Sequence, residues 1–172
     1  MQLNKSAILS AAIEILQDYG LGDLTMRRLA TALSVAPGAL YWHVPNKQAL
    51  LGEVASHVLA DIPDDLGSAA RLCQHLWAAV VSVRDGAEIV VAAQAAGTVQ
   101  RDVVGLLARC EGLDRPGAQV LVHYVLGAAW DLQTRQAVQR SLRVDHGGEA
   151  DSEAAEAAVL AGVEAILAGL NS

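Results

Sequence analysis

Tyr41, Trp42 and His43 stand side by side, Lys47 follows one short stretch later, and Arg27 and Arg28 lie just upstream. A phenol, an indole N–H, an imidazole and three cations form a set of hydrogen-bond donors with flat apolar faces. Such a set suits phosphate oxygens, sugar edges and base edges better than it suits bond-making chemistry. No serine, cysteine or carboxylate is spaced with these groups to make a nucleophile and its base. The best alternative, His57 with Asp61, stands one helical turn apart on an expected helix. It lacks a nucleophile, a glycine-rich phosphate loop or a metal motif beside it, so a salt bridge is the expected arrangement and no enzyme activity is expected.

Elements that can position these groups follow from the flanking residues. Asn4 can cap a helix whose apolar face is Ile8, Ala12, Ile15, Leu16 and Tyr19, and Gly20 and Gly22 end it. Thr25 is a good N-cap for a second helix ending near Leu33, and Leu24 and Leu29 occupy the positions of a hydrophobic staple. Ser34-Val35-Ala36 makes a turn, in which a positive φ at Ser34 would carry mild strain. Pro37 suits the first position of a short third helix over about 37–43, where its missing N–H costs nothing. Leu40 fills the inward position of that helix. Gly38, Ala39, Tyr41, Trp42 and His43 are left facing out. Pro45 breaks the chain, Asn46 caps, and a fourth helix is expected from Lys47 to about Ile62 with a stripe of Leu50, Leu51, Val54, Val58 and Ile62. Two helices joined by a tight turn, with a donor-rich second helix, describe a helix-turn-helix for duplex DNA.

Pro63-Asp64-Asp65-Leu66-Gly67 reads as a loop and divides the chain into a head, 1–62, and a body, 63–172. In the body, helices are expected near 68–84, 87–96, 99–111, 116–142 and 151–170. The breaks fall at Asp85-Gly86, Gly97-Thr98, Gly112 to Gly117 and Asp145 to Glu149. No stretch alternates like a strand, so the fold class is all-α. The last helix is rich in alanine and glycine, which lets helix backbones approach closely. With 116–142 it could build a four-helix interface between two copies.

Composition sets the outer bounds. Of 172 residues, 53% are hydrophobic, with no Phe, and the mean hydropathy is +0.32. No apolar run approaches the roughly 20 residues of a membrane span, and the N-terminus is no signal peptide. The apolar excess therefore points to self-association and a homodimer in the cytoplasm. The net charge is −7, but residues 1–50 hold four bases against three acids, leaving an acidic body below a weakly positive head. Both lysines, Lys5 and Lys47, lie in that head. Cys73 and Cys110 lack metal-ligand spacing and read as small hydrophobes. No metal or other cofactor is expected. An Ala-, Gly- and Arg-rich, Lys-poor chain hints at a high-GC bacterial genome.

Residues 3–60 resemble the N-terminal domain of the TetR-type transcriptional regulators. The likeness rests on Leu40-Tyr41-Trp42-His43-Val44, then Asn46-Lys47 and Ala49-Leu50-Leu51, with Thr25, Arg27, Leu29 and Ala30 one helix earlier. It implies a homodimeric repressor whose two heads read a near-palindromic operator in double-stranded DNA. A small molecule in the helical body would release it; the alternative is a DNA-binding dimer without an effector, its body serving only dimerisation. The resemblance places Lys47 and Tyr41 on phosphate, Trp42 on the sugar edge and Thr25 at both a cap and a phosphate. It places Arg27 on a base edge, where a guanidinium on guanine discriminates by about 1–3 kcal/mol. Arg28 would touch backbone or solvent, and His43 would donate to phosphate or cap the helix. Pro37, Gly38 and Ala39 stand where the family places polar base-readers, so the operator should differ, with more weight on Arg27 and DNA shape.

For the effector, the polar or aromatic mid-helix residues are His75, Trp77, Gln94, His123, Tyr124 and Trp130. Trp77 and Trp130 could equally be core or dimer contacts, and His123 a core or interface histidine. A hydrophobic or aromatic small molecule is expected.

Overall fold

The structure is a computed structural model that describes residues 3–64, 67–110, 112–142 and 148–170. Its helices are α1 (Lys5–Tyr19), α2 (Met26–Ala32), α3 (Pro37–Tyr41), α4 (Lys47–Val58), α5 (Ala69–Val81), α6 (Gly86–Ala95), α7 (Val103–Leu107), α8 (Arg115–Leu142) and α9 (Gly148–Leu170). No strand occurs among the described residues, and the all-α class holds. No helix among them is long and apolar enough to cross a membrane.

Local capping explains most of the starts. Asn4 Oδ1 accepts from Ala7 N, Thr25 Oγ1 from Arg28 N, Asn46 Oδ1 from Ala49 N, and Asp102 Oδ1 from Gly105 N. Each satisfies one of the N–H groups that a helix start leaves orphaned. Leu24 and Leu29 of the staple are both fully buried. At the turn after α2, Ser34 takes φ 55 and Val35 N donates to Ala30 O at 3.0 Å, a closing bond of the kind that ends helices in the left-handed region.

Several elements depart from the sequence reading. A 3-10 turn, Leu21–Asp23, follows α1. Tyr19, placed on the apolar face of α1, is exposed at the helix end. Helix α4 stops at Val58, because Leu59, Ala60 and Ile62 donate back to Ala55, His57 and Leu59 in a closing turn. Asp61 therefore leaves the helix, and no ion pair joins it to His57 among the described residues. Helix α7 is much shorter than 99–111, since Gly97 at φ 65 and the Asp102 cap delay its start. Of the expected breaks, Asp65, Leu66 and 145–147 lie outside the described residues.

One continuous buried cluster runs from Ile8 through Leu40, Val54, Trp77 and Leu121 to Val163. The tightest approach between head and body is α4 against α6 and the residues after it. A Cβ built on Gly52 would lie 2.6 Å from Thr98 Cβ. Helices α8 and α9 pack on each other and on α5.

Cys73 is buried and Cys110 half-buried, and neither forms a disulfide among the described residues. Burial, and then the charge of Cys110, push the Cys73 thiol up to about 12. The folded chain thus keeps a proton that the unfolded chain loses, and stability falls as pH rises from the ordinary 9.0 towards 12. Folded protein at pH 8 should accordingly leave Cys73 unlabelled by a maleimide while denatured protein labels both thiols. Equal labelling of both in the folded state would contradict this.

Candidate nucleic-acid interface

Leu40 is fully buried in the core, with α3 packed against α2, and the two residues after it are turned to solvent. Tyr41 is 49% exposed and Trp42, closing the helix, is 91% exposed. A tryptophan this bare has no packing role within the chain, and an indole so placed offers both its N–H and its face to a partner. His43 and Lys47 are half-buried at the same corner, with Lys47 the first residue of α4 behind the Asn46 cap. A lysine in the first turn of a helix, next to its N-terminal N–H groups, is an arrangement that favours a phosphate.

The start of α3 presents Pro37 and Gly38 exposed and Ala39 half-buried. A Cβ on Gly38 would meet nothing within 4 Å, so this edge is open to a close-approaching surface. Thr25 is exposed, and its hydroxyl accepts from Arg28 N at 3.1 Å while its own proton stays available to donate. Arg27 is exposed and has no ion-pair partner among the described residues. Arg28 is held differently: it pairs with Asp23, and its guanidinium lies 3.9 Å over the Tyr19 ring. That engagement turns Arg28 away from the free role open to Arg27.

The body carries a groove between α6 and α8 with two arms. One arm, about 550 Å³, is bounded by Val91, Leu126, Gly127 and Trp130. The other, about 510 Å³, reaches Arg101, Asp102 and Gln119. Val91, Gln94 and His123 wall both arms. Gln119 Nε2 lies 2.8 Å from His123 Nε2, and with the amide donating, the ring proton sits on Nδ1. Of the six body candidates, the structure thus brings together Gln94, His123 and Trp130, which is 56% exposed. Trp77 is 2% exposed in the core and His75 is exposed on α5, so neither lines an arm. Tyr124 turns to α9, where a Cβ on Gly162 would run into its ring.

Arg101, which no local pattern marks, links this groove to the head. Its Nη2 donates to Ile62 O in the turn after α4 and to Asp64 Oδ1, 2.9 Å away. A second link is Asp85, whose carboxylate accepts from Leu21 N at 2.7 Å, with Arg84 donating to Gln17 O and Asp18 O. The 3-10 turn before α2 is thereby tied to the α5–α6 corner.

The profile of the family described as bacterial regulatory proteins, tetR family, matches residues 8–54. The head is 44% identical over 59 residues to tetracycline repressor protein class D of Escherichia coli. That match covers 34% of this chain and only 27% of the repressor's own length. Over the whole chain, the crystal structure of BioQ with its double-stranded DNA operator is 35% identical, with a TM-score of 0.80 and 99% of both chains covered. A TetR variant from Acinetobacter baumannii AYE in complex with minocycline is 28% identical, with a TM-score of 0.73 and 99% of both chains covered. With the head matched by the family profile and a 35% identical relative spanning nearly its full length, the chain belongs to the TetR family of bacterial regulatory proteins.

Proposed function

We propose that the protein is a transcriptional repressor of the bacterial cytoplasm that binds a near-palindromic operator as a homodimer and is released by a small-molecule effector. Residues 1–62 serve as the DNA-binding head and 63–172 as the effector and dimerisation body. The observation that carries the reading is the bare Tyr41-Trp42 pair beside Lys47, set on a fully buried Leu40. Its strongest support from relatives is BioQ, whose structure contains an operator duplex.

Dimerisation is supported by an uncovered stripe on α9. Ala154, Ala158, Ala161, Ala165 and Ala168 are all exposed at helical spacing, and α8 leaves Val120 and Val138 about half exposed. Two heads on such a dimer must meet half-sites about 34–36 Å apart, so a small change in their separation abolishes simultaneous docking. Ala161→Arg puts a charged side chain on this stripe. Sedimentation should show a monomer, and duplex binding should fall at least tenfold. A variant that stays dimeric would move the interface elsewhere.

The effector is assigned to the α6–α8 groove, whose arms fall in the size range of small-molecule sites. Val91, Leu126 and Trp130 suit a hydrophobic or aromatic body, while Gln94 and His123 supply the polar anchors. Arg101 gives a route from this groove to α4.

The deciding experiment is selection of bound duplexes from a random pool, repeated with Lys47→Ala and Arg27→Ala. A palindrome should emerge. Lys47→Ala should weaken all sequences alike, and Arg27→Ala should relax one base position per half-site. No enriched sequence, with binding indifferent to both changes, would defeat the proposal.

A further inference from the structure

A second, smaller cavity of about 170 Å³ lies on the seam between head and body, away from the α6–α8 groove. Gln17 of α1, Ser82, Arg84 and Asp85 of the α5–α6 corner, and Gln136 and Arg140 of α8 line it. Two guanidinium groups therefore share a space smaller than either arm of the groove. Among the described residues neither has an ion-pair partner within 4.0 Å. Asp85 is the carboxylate of the lining, and its Oδ2 accepts from Leu21 N, so one negative charge faces two guanidinium groups.

Arg84 is fixed in place. Its Nη1 donates to Gln17 O and Asp18 O at 3.2 and 3.0 Å, while its Nε is buried with no acceptor. A buried guanidinium N–H without a partner is costly, as is a second cation set against the first. Burial, and next the charge of Arg84, lower the proton affinity of Arg140, with Asp85 opposing them. Neutral side chains on the wall, Gln17, Gln136 and Ser82, can donate but add no negative charge. With Asp85 offsetting one of the two cations, the lining keeps a net positive charge that a further anionic acceptor would balance.

We propose that this seam cavity binds a small tetrahedral oxyanion, held between Arg84 and Arg140, either as free phosphate or as the phosphate end of a small monoester. The anion bridges α1 of the head to α8 of the body and supplies the two guanidinium groups with the charge-assisted bonds they lack. This assignment stands apart from DNA binding and from the effector groove.

The test is calorimetric titration of the full chain with inorganic phosphate and with glycerol phosphate, against sodium chloride at matched ionic strength, together with thermal unfolding. Saturable phosphate binding and a rise in unfolding temperature beyond that in chloride are expected. Tighter binding of glycerol phosphate would assign the site to monoesters, and tighter inorganic phosphate to the free ion. Arg84 also caps α1, so Arg84→Gln can fail to fold. Arg140→Gln carries the test, because Arg140 is exposed and makes no hydrogen bond among the described residues. Arg140→Gln should weaken phosphate binding at least tenfold, and Arg135→Gln, on the same helix but outside the cavity, should leave it unchanged. Identical responses to phosphate and chloride, or equal binding by wild type and Arg140→Gln, would overturn the assignment.

Discussion

Gln133→Leu is expected to lower stability by about 3 kcal/mol, although it exchanges a polar residue for an apolar one of similar size in a buried place. Gln133 Oε1 accepts from Ala87 N at 3.0 Å, and its Nε2 donates to Val80 O and Val83 O at 3.2 and 2.8 Å. One side chain of α8 thereby closes both the end of α5 and the start of α6. The cap of α6 offers no help, since Asp85 at φ 60 makes no capping bond and spends its carboxylate on Leu21. Leucine would leave the Ala87 N–H buried without an acceptor and thin the partners of two carbonyls. Each buried orphan costs about 1–3 kcal/mol. At roughly 2–4 °C per kcal/mol for a chain of this size, the unfolding temperature should drop by about 10 °C. Amide exchange at Leu21 should also quicken, because the loosened corner carries Asp85. An unfolding free energy in urea within 1 kcal/mol of wild type would contradict the account.

Gly52→Ala should weaken duplex binding more than it weakens folding. The new Cβ would lie 2.6 Å from Thr98 Cβ and 2.9 Å from its backbone oxygen, so α4 and the chain after α6 must separate. Alanine gains up to about 1 kcal/mol in helix propensity over glycine. Overpacking a tight interior contact costs about 1–3 kcal/mol, which outweighs that gain in net. Helix α4 starts at Lys47 beside Trp42, so its displacement moves the head against the body. On the proposed dimer this alters the spacing of the heads, and duplex affinity should fall tenfold or more in protein that remains folded. A variant more stable than wild type with unchanged binding would show that this contact does not set head position.

The legible part of the molecule is the part whose causes lie within one or two helical turns. Asn4, Thr25, Asn46 and Asp102 each cap the third N–H onward, a reach that spacing alone reveals for the first three. Leu40 is inward because its period matches the core, and the exposure of Tyr41 and Trp42 follows from that. The positive φ of Ser34 is likewise dictated by the closing turn. Helix ends were less legible where long-range contacts shape the closing turn, as at Ile62, which stays buried outside α4 with its carbonyl held by Arg101.

By itself, the sequence determined the all-α class, the helix-turn-helix head and the outward pair Tyr41 and Trp42, because helical period and capping are local. Tertiary structure alone decided that Gln94, His123 and Trp130 share a groove while His75 and Trp77 do not. It also decided that Arg28 is spent on Tyr19 and Asp23, that Gln133 pins the α5–α6 corner, and that Arg84 and Arg140 line one cavity. Each of these depends on which faces of separate helices meet, or on how a single side chain folds back. Periodicity fixes the face of a helix that turns inward, but not the neighbour it finds there.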